Sequence, residues 1–555
     1  MRAGNRTRFS ENKGSWRKIK LTFSSLFILA LVLYASGCST AHYRQDADKE
    51  TYRIIRQKQK EALNINNSNF TIEQKKINPF GKPEPKTEKG KRKIPILSLA
   101  RSLEIAVKDS REYQSKKEDL YLAALDLTYQ KYKWGPRFNG SLSAGVTKQG
   151  NERYGTGGAD FGLKQLLASG AEIGVDLGLD VLRYFTGDPR KSASSLLSLG
   201  IIQPLTRGAG RRIAQENLTQ AERNVLYQVR SFARYQRTFT VQIATDYYRV
   251  LQQNDVVKNE FNNYQNLIES SKRSRLMAQA GRLPEFQVDQ AKQNELRAKN
   301  RWIRVKEEDE RLLDRFKITL GLPTDAQIIL DESELTRLVR KGITSLGIQT
   351  EGAVKTALRN RLDLMNVRDQ VEDAERQVLL AKNGLRTDVS LSLSADVNSA
   401  PPTSMTDFRF QKGTYSTKLN VGLPLNRRQE RNTYRKSLIS LDRQKRTLFS
   451  FEDNIKLEVR QAYRRLLQAE ESYNIQKLSV TLAAKRVEST TLLLQAGRVN
   501  TRDLLDSQEA FLEAQNGLIG ALVDHTIARL EFWRDIGTLQ VNEKGLWQEE
   551  TNNGE

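Results

Sequence analysis

Cys38 is the only cysteine in the 555-residue chain, and its thiol is the side chain best placed for covalent chemistry. A lone cysteine cannot form an internal disulfide, so its use must lie elsewhere. The rest of the reactive inventory is thin. Of the two histidines, only His525 sits in a regular helical context, so a histidine zinc site is not expected, and further thiolate ligands are absent. No GxxxxGK[ST] loop supports ATP hydrolysis, and no serine–histidine pattern rises above chance. The chain therefore reads as a non-enzyme without metal or cofactor.

The residues before Cys38 give the thiol its context. Arg2, Arg6, Arg8, Lys13, Arg17, Lys18 and Lys20 form a positive lead offset only by Glu11, followed by the apolar run Leu21–Leu33 and the small residues Ala35-Ser36-Gly37. This is secretory signal architecture over residues 1–37, too short for a comfortable membrane span. Ala35–Cys38 resembles the lipobox of bacterial lipoproteins, with alanine where leucine is commoner. That resemblance implies cleavage before Cys38 and lipidation of its thiol and amine. Ser39, in place of an aspartate, implies sorting to the outer membrane.

Net charge is +24, and about +18 once the lead is removed. Such a charge would suit nucleic acid, but an exported protein does not ordinarily meet any. Residues 38–96 carry 14 Lys/Arg against seven Asp/Glu, an Asn-rich patch and the Pro/Lys/Glu run Pro79–Lys93. That composition predicts a flexible tether. After Leu33 no apolar run is long enough for a helical span, so any membrane entry must use strands.

Beyond the tether the chain repeats itself. Leu276–Arg282 reads LMAQAGR and Leu492–Arg498 reads LLLQAGR, 216 residues apart, and Gly321 pairs with Gly537 at the same offset. A second offset of 251 pairs Ala106 with Ala357, Lys131 with Lys382 and Val146 with Val397. The expected first repeat is 97–323, the second 351–540, with a connector at 324–350 and a polar tail at 541–555. Each repeat reads helix, strands, then very long helices. Leu97–Lys133 has an apolar side with a break near Ser110–Tyr113, and Phe138–Val146 alternates with period two. From about Ala209 helix runs to Leu320, divided at Gly281-Arg282-Leu283-Pro284. Its first arm extends roughly 100 Å at about 1.5 Å per residue. Val389–Val397 and Thr414–Leu423 are the second copy's strands. Pro204 and Pro424 end strand character, because proline cannot serve a central ladder. Those prolines stand 220 apart, so the first copy is 31 residues longer between its strands. A candidate hairpin, Ala159–Leu166 with Ala171–Val181, fills that stretch and could join a wall or hang outside it. Four core strands cannot close a barrel, and a free edge is not tolerated in lipid, so several chains must share one.

In this order, the signal, strand pairs, long helices and glycine turns resemble the TolC-like outer membrane factors, or outer membrane efflux proteins, over residues 97–540. Gln203-Pro204-Leu205-Thr206-Arg207-Gly208 resembles the family's QPLxRG junction, and Leu423–Arg428 is its counterpart. The lipobox fits the lipoprotein branch. The resemblance implies an α+β, internally duplicated fold: a homotrimer giving four strands each to a twelve-stranded outer-membrane barrel, continuous with a periplasmic α-helical coiled-coil barrel. It implies a passive exit duct of a tripartite efflux or type I secretion system in a Gram-negative bacterium. Its partners would be a periplasmic adaptor (membrane fusion protein), an inner-membrane pump or exporter, and outer-membrane lipid.

The resemblance also carries site residues. The turns at Gly281-Arg282 and Gly497-Arg498 would face the adaptor. Acidic rings would fall at Asp503 and Asp506, where like charges near an axis attract cations; a solvated first helical turn favours acids as well. The first copy has Gln287 and Gln290 at those places. The gate tyrosine and arginine of such channels are replaced by Leu494 and Val499, so the contacts of a closed gate are unassigned. The alternative reading is a lipid-anchored periplasmic coiled-coil scaffold without a pore, which would not need the alternating strands.

Overall fold

The computed structural model describes residues 39–64, 70–73, 95–185, 191–343, 347–400, 404–542 and 544–548. The signal segment, Cys38, the Pro79–Lys93 run and the end of the polar tail lie outside the described residues.

Two helical modules recur at the sequence offsets. In the first, α2 (Leu99–Asp109) is capped by Ser98, whose side chain accepts from the Arg101 N–H at 3.3 Å, and α3 (Arg111–Trp134) follows. In the second, α7 (Thr350–Asn360) and α8 (Leu362–Gly384) stand 251 residues on. The break falls at Ser110 and Arg361, each with extended backbone (ψ 127° and 117°). The long antiparallel pairs are α4 (Glu216–Gln279) with α5 (Glu285–Leu320), and α9 (Arg428–Gln495) with α10 (Thr501–Ile536). The 64- and 68-residue arms measure roughly 100 Å at about 1.5 Å per residue. Their apolar stripes meet at mid-length. Leu103, Leu120, Ile243, Tyr247, Phe316 and Leu320 form the larger core, and Ala357, Leu364, Ile455, Val459 and Phe532 the smaller. The Tyr247 hydroxyl donates to the Leu97 carbonyl at 3.0 Å, so even the buried phenol is satisfied.

One six-stranded antiparallel sheet lies at the end of these helices, in the order β2 (Arg137–Gln149), β3 (Glu152–Leu166), β4 (Glu172–Tyr184), β5 (Lys191–Pro204), β7 (Asp388–Asn398), β8 (Thr414–Gly422). The expectation of four strands is therefore corrected. The hairpin β3–β4 pairs with β2 on one side and β5 on the other, along almost its full length. Register aligns one apolar face across all six strands: Leu142 stands opposite Ala159 and Ala159 opposite Leu179, and further along the strands Val175 stands opposite Leu199, Leu199 opposite Ala395 and Ala395 opposite Tyr415. The opposite face carries Ser141, Asp160, Asp176, Ser198, Ser394 and Ser416. Each strand has nine to 15 residues, against the roughly 9–11 that span a bilayer when tilted.

The tether expectation is also corrected in part. α1 (Thr40–Leu63), capped by Ser39, buries Thr51, Ile54, Ile55 and Gln59. It lies against α3 and α4; the Tyr121 hydroxyl donates to Asp48 at 2.7 Å. Those four residues fall at i, i+3, i+4 and i+8, a stripe too narrow to stand out in a basic, polar segment. The connector is likewise structured. β6 (Ile329–Leu330) pairs in parallel with β1 (Ile96–Leu97), and α6 (Ser333–Lys341) follows. The start of the polar tail folds back, with β9 (Gln540–Val541) antiparallel to β10 (Trp547–Gln548).

Candidate functional site

The two LxxQAGR turns have the same geometry. Gly281 and Gly497 adopt φ +69° and +68°, a region that only glycine enters without strain. Each closes its helix in the same way. The Gly281 N–H donates to Ala278 and the Arg282 N–H to Met277, as Gly497 does to Leu494 and Arg498 to Leu493, all at 2.9–3.0 Å. This is the bonding of a Schellman stop, and it satisfies carbonyls that the helix end leaves open. Arg282 and Arg498 follow on short loops at the far end from the sheet, and neither is in a described salt bridge.

Past the second turn, Asn500 and Asp503 form a reciprocal capping box. The Asp503 N–H donates to Asn500 Oδ1 at 3.0 Å, and the Asn500 N–H donates to Asp503 Oδ2 at 3.1 Å. Asp503 thus serves the helix start while staying exposed. Asp506 is exposed as well, with only Arg502 Nε 3.9 Å away. Both carboxylates project from the same first turns of α10, next to the buried Leu504, Leu505 and Ser507.

At the sheet end, Pro204 is the last residue of β5, in register with Ser390. The chain then locks onto the second copy: the Leu205 N–H donates to the Val389 carbonyl at 2.7 Å, and the Gly208 N–H to Asn383 Oδ1 at 2.9 Å. At the Pro424 junction Arg427 donates to the Leu385 carbonyl at 2.6 Å, while the two flanking leucines stand open. Leu423 is 71% and Leu425 99% exposed.

Sequence reasoning missed the ionic contacts that join the copies along α4 and α8. Arg223 meets Glu372 at 2.6 Å and Asp373 at 2.7 Å, Arg230 meets Asp369 at 2.6 Å, and Arg376 meets Glu216 at 3.0 Å. The signal was there as Arg223 and Arg230 seven apart, facing Asp369, Asp373 and Arg376 on one helical stripe. Near the α7–α8 break, buried Arg361 pairs with Asp363 at 2.7 Å and with Glu458. Burial alone would raise the Asp363 carboxyl, but hydrogen bonding from Arg361 and the nearby Arg234 hold it below the usual range.

No group of residues fit to hold a metal ion occurs among the described residues. No described helix is long and apolar enough to cross a membrane. Residues 353–534 match the family model for outer membrane efflux protein. The chain has an outer membrane efflux protein fold. Its sheet and paired helices are similar to the CmeC outer membrane channel of Campylobacter jejuni, at 15% identity, with 88% of this chain and 95% of that one covered and a TM-score of 0.58. They are similar to the outer membrane protein VceC of Vibrio cholerae, at 13% identity, 79% and 96% coverage and a TM-score of 0.57. The open state of the Neisseria gonorrhoeae MtrE outer membrane channel matches at 10% identity, with 79% and 88% covered and a TM-score of 0.55. No curated protein matches the chain. The outer membrane efflux fold accounts for the sheet at one end, the turns at the other and the long helices between.

Proposed function

We infer that this protein is a passive exit duct in the outer membrane of a Gram-negative bacterium, serving a tripartite efflux or type I secretion system. One observation carries the reading: an apolar face and a polar face run across all six strands, and the sheet is open at both edges. Such edges are not stable in lipid until they are closed, and closure by further copies of the chain produces a pore. The assembly is a homotrimer. Its helices cross the periplasm, and Cys38 carries the lipid that anchors it.

The glycine turns at Gly281-Arg282 and Gly497-Arg498 meet the periplasmic adaptor, which links the duct to an inner-membrane pump or exporter. Three copies bring Asp503 and Asp506 around the axis at the periplasmic mouth, where they select cations. The capping bond leaves the Asp503 carboxylate exposed, so one residue serves both helix start and mouth. Heat-modifiable migration of the detergent-extracted protein, with trimer converting to monomer on boiling, together with swelling of proteoliposomes in permeant solutes, tests this reading. A monomer released from membranes by removing its lipid, with no swelling activity, would overturn it.

A further inference from the structure

We propose that the outer-membrane barrel of this protein has eighteen strands, and that the inserted hairpin β3–β4 sets its bore. The inference rests on the trimeric duct reading and deepens it.

The hairpin is built as wall. β3 pairs with β2 through 13 residue pairs and β4 with β5 through 12, with no bulge in the register. Its faces continue those of the flanking strands: Phe161, Leu163, Val175, Leu177 and Leu179 lie on the apolar side, and Asp160, Asp176 and Asp180 on the polar side. Glycines on the polar face make room for these acids and their neighbours. A Cβ at Gly162 would sit 2.5 Å from side-chain oxygens of both Asn139 and Asp176. The turn at the helical end is fastened to the β5 junction: the Gly210 N–H donates to the Ser169 carbonyl at 3.0 Å, and a Cβ at Gly170 would lie 2.8 Å from the Gly208 carbonyl. A flap outside the wall would need none of this.

The sheet's width also suits the helices below it. Four helix ends meet the sheet, those of α3, the start of α4, α8 and the start of α9, whereas β3 and β4 are joined to each other there. Four helices about 10 Å apart occupy an arc of about 40 Å. Strands about 4.8 Å apart, tilted by about 40°, each occupy about 6 Å, so four cover about 25 Å and six about 38 Å. By the same spacing, twelve strands close at a backbone radius of about 12 Å and eighteen at about 18 Å.

The chain also holds a template for closing the ring. Inside one protomer β5 pairs with β7 from Leu196↔Asn398 to Pro204↔Ser390. Shifted by the repeat offsets of 220 and 251, the same register sets β8 of one protomer against β2 of the next, with Leu419 opposite Ala144 and Pro424 opposite Asn139. Apolar residues then remain on the apolar face. Offsets of 216 and 251 likewise carry the Arg230–Asp369 pair to Arg446 and Glu118, both exposed in the single chain. The exposed Leu425 takes the place of Leu205, its N–H directed to the Phe138 carbonyl of the neighbour.

Electron cryomicroscopy of the detergent-extracted full-length protein should count eighteen wall strands. A trimer with twelve, and the hairpin outside, overturns this inference and leaves the duct standing; a particle with no closed barrel overturns both. In planar bilayers, polyethylene glycols added from the extracellular side should show a size cut-off lower by about a third when Glu152–Tyr184 is excised. That excision removes two strands, so it preserves which face β5 presents; an unchanged cut-off overturns the proposal. For the seam, Ala144→Cys with Leu419→Cys should cross-link between protomers on oxidation, and Ala144→Cys with Val421→Cys should not. The reverse preference overturns the register.

Discussion

Four left-handed glycines allow a graded test of how the two copies are packed. Gly281 and Gly497 have open space where a Cβ would project, with nothing within 4 Å. Alanine at either meets only backbone strain, about 1–2 kcal/mol, partly offset by about 0.4–1 kcal/mol from the stiffer unfolded chain. A net loss of about 1 kcal/mol is expected. Gly321 (φ +82°) and Gly537 (φ +80°) carry the same strain and pack on the helix breaks of α2–α3 and α7–α8. At Gly537 the nearest atoms, of Asn360, are 3.2 Å away, so a small adjustment suffices. At Gly321 the new carbon would overlap the Asp109 carbonyl, lying 2.5 Å from its carbon and 2.9 Å from the Ser110 nitrogen. Those are backbone atoms at a fixed helix junction, and overlap there adds about 1–3 kcal/mol. Gly321→Ala should therefore cost about 3 kcal/mol or more. For units of about 200 residues each kcal/mol lowers the melting midpoint by about 2–4 °C. Thermal unfolding of the helical circular dichroism signal should rank Gly321→Ala lowest, Gly537→Ala next, and Gly281→Ala and Gly497→Ala near the parent. A Gly321→Ala protein as stable as Gly281→Ala would refute the packing of the helix end on Asp109.

Replacing both Asp503 and Asp506 with asparagine should weaken block of the channel by multivalent cations at least tenfold in single-channel recordings, whereas Gln287→Ala with Gln290→Ala should leave it unchanged. Arg361→Met removes the buried guanidinium from Asp363, which keeps Arg234, and from the half-exposed Glu458, and should cost about 3 kcal/mol in denaturant unfolding, at the low end for breaking a buried pair. Because the Asp363 carboxyl is held below its usual range, its contribution is present above the ordinary carboxylate pKa and lost as pH falls through the lowered value. The same variant should therefore unfold at a higher pH during acid titration. Asp309 has the opposite sign: burial, with Glu310 nearby and against Lys258, pushes it up to about 6, and its Oδ1 is buried without a hydrogen-bond partner. Stability from that site is full below the ordinary carboxylate pKa and is lost as pH rises through about 6, so Asp309→Asn should flatten this slope and raise the melting midpoint at neutral pH.

The helical frame was legible because strong local signals agree. Glycines end α5 and α10, Pro284 follows Gly281 three residues on, and apolar residues recur at helical spacing in α4 and α9. The hairpin's existence was readable too, but its place was not. A strand with one apolar face reads the same in a wall or a flap, and pairing partners are set by tertiary register. α1 stayed hidden because most of its surface is charged and only a narrow stripe touches α3 and α4. The ion pairs across α4 and α8 needed the fold, since their partners lie more than 130 residues apart in sequence. At the candidate mouth, sequence supplied Asp503 and Asp506, and only the structure revealed that Asp503 also caps α10.

The central claim is that this chain forms a pore. Full-length protein purified in detergent and added to a planar lipid bilayer should insert and give discrete unitary current steps, with cation preference reduced in the protein lacking both Asp503 and Asp506 carboxylates. Protein that associates with the bilayer yet passes no current in steps, across a wide range of voltage, would contradict the account.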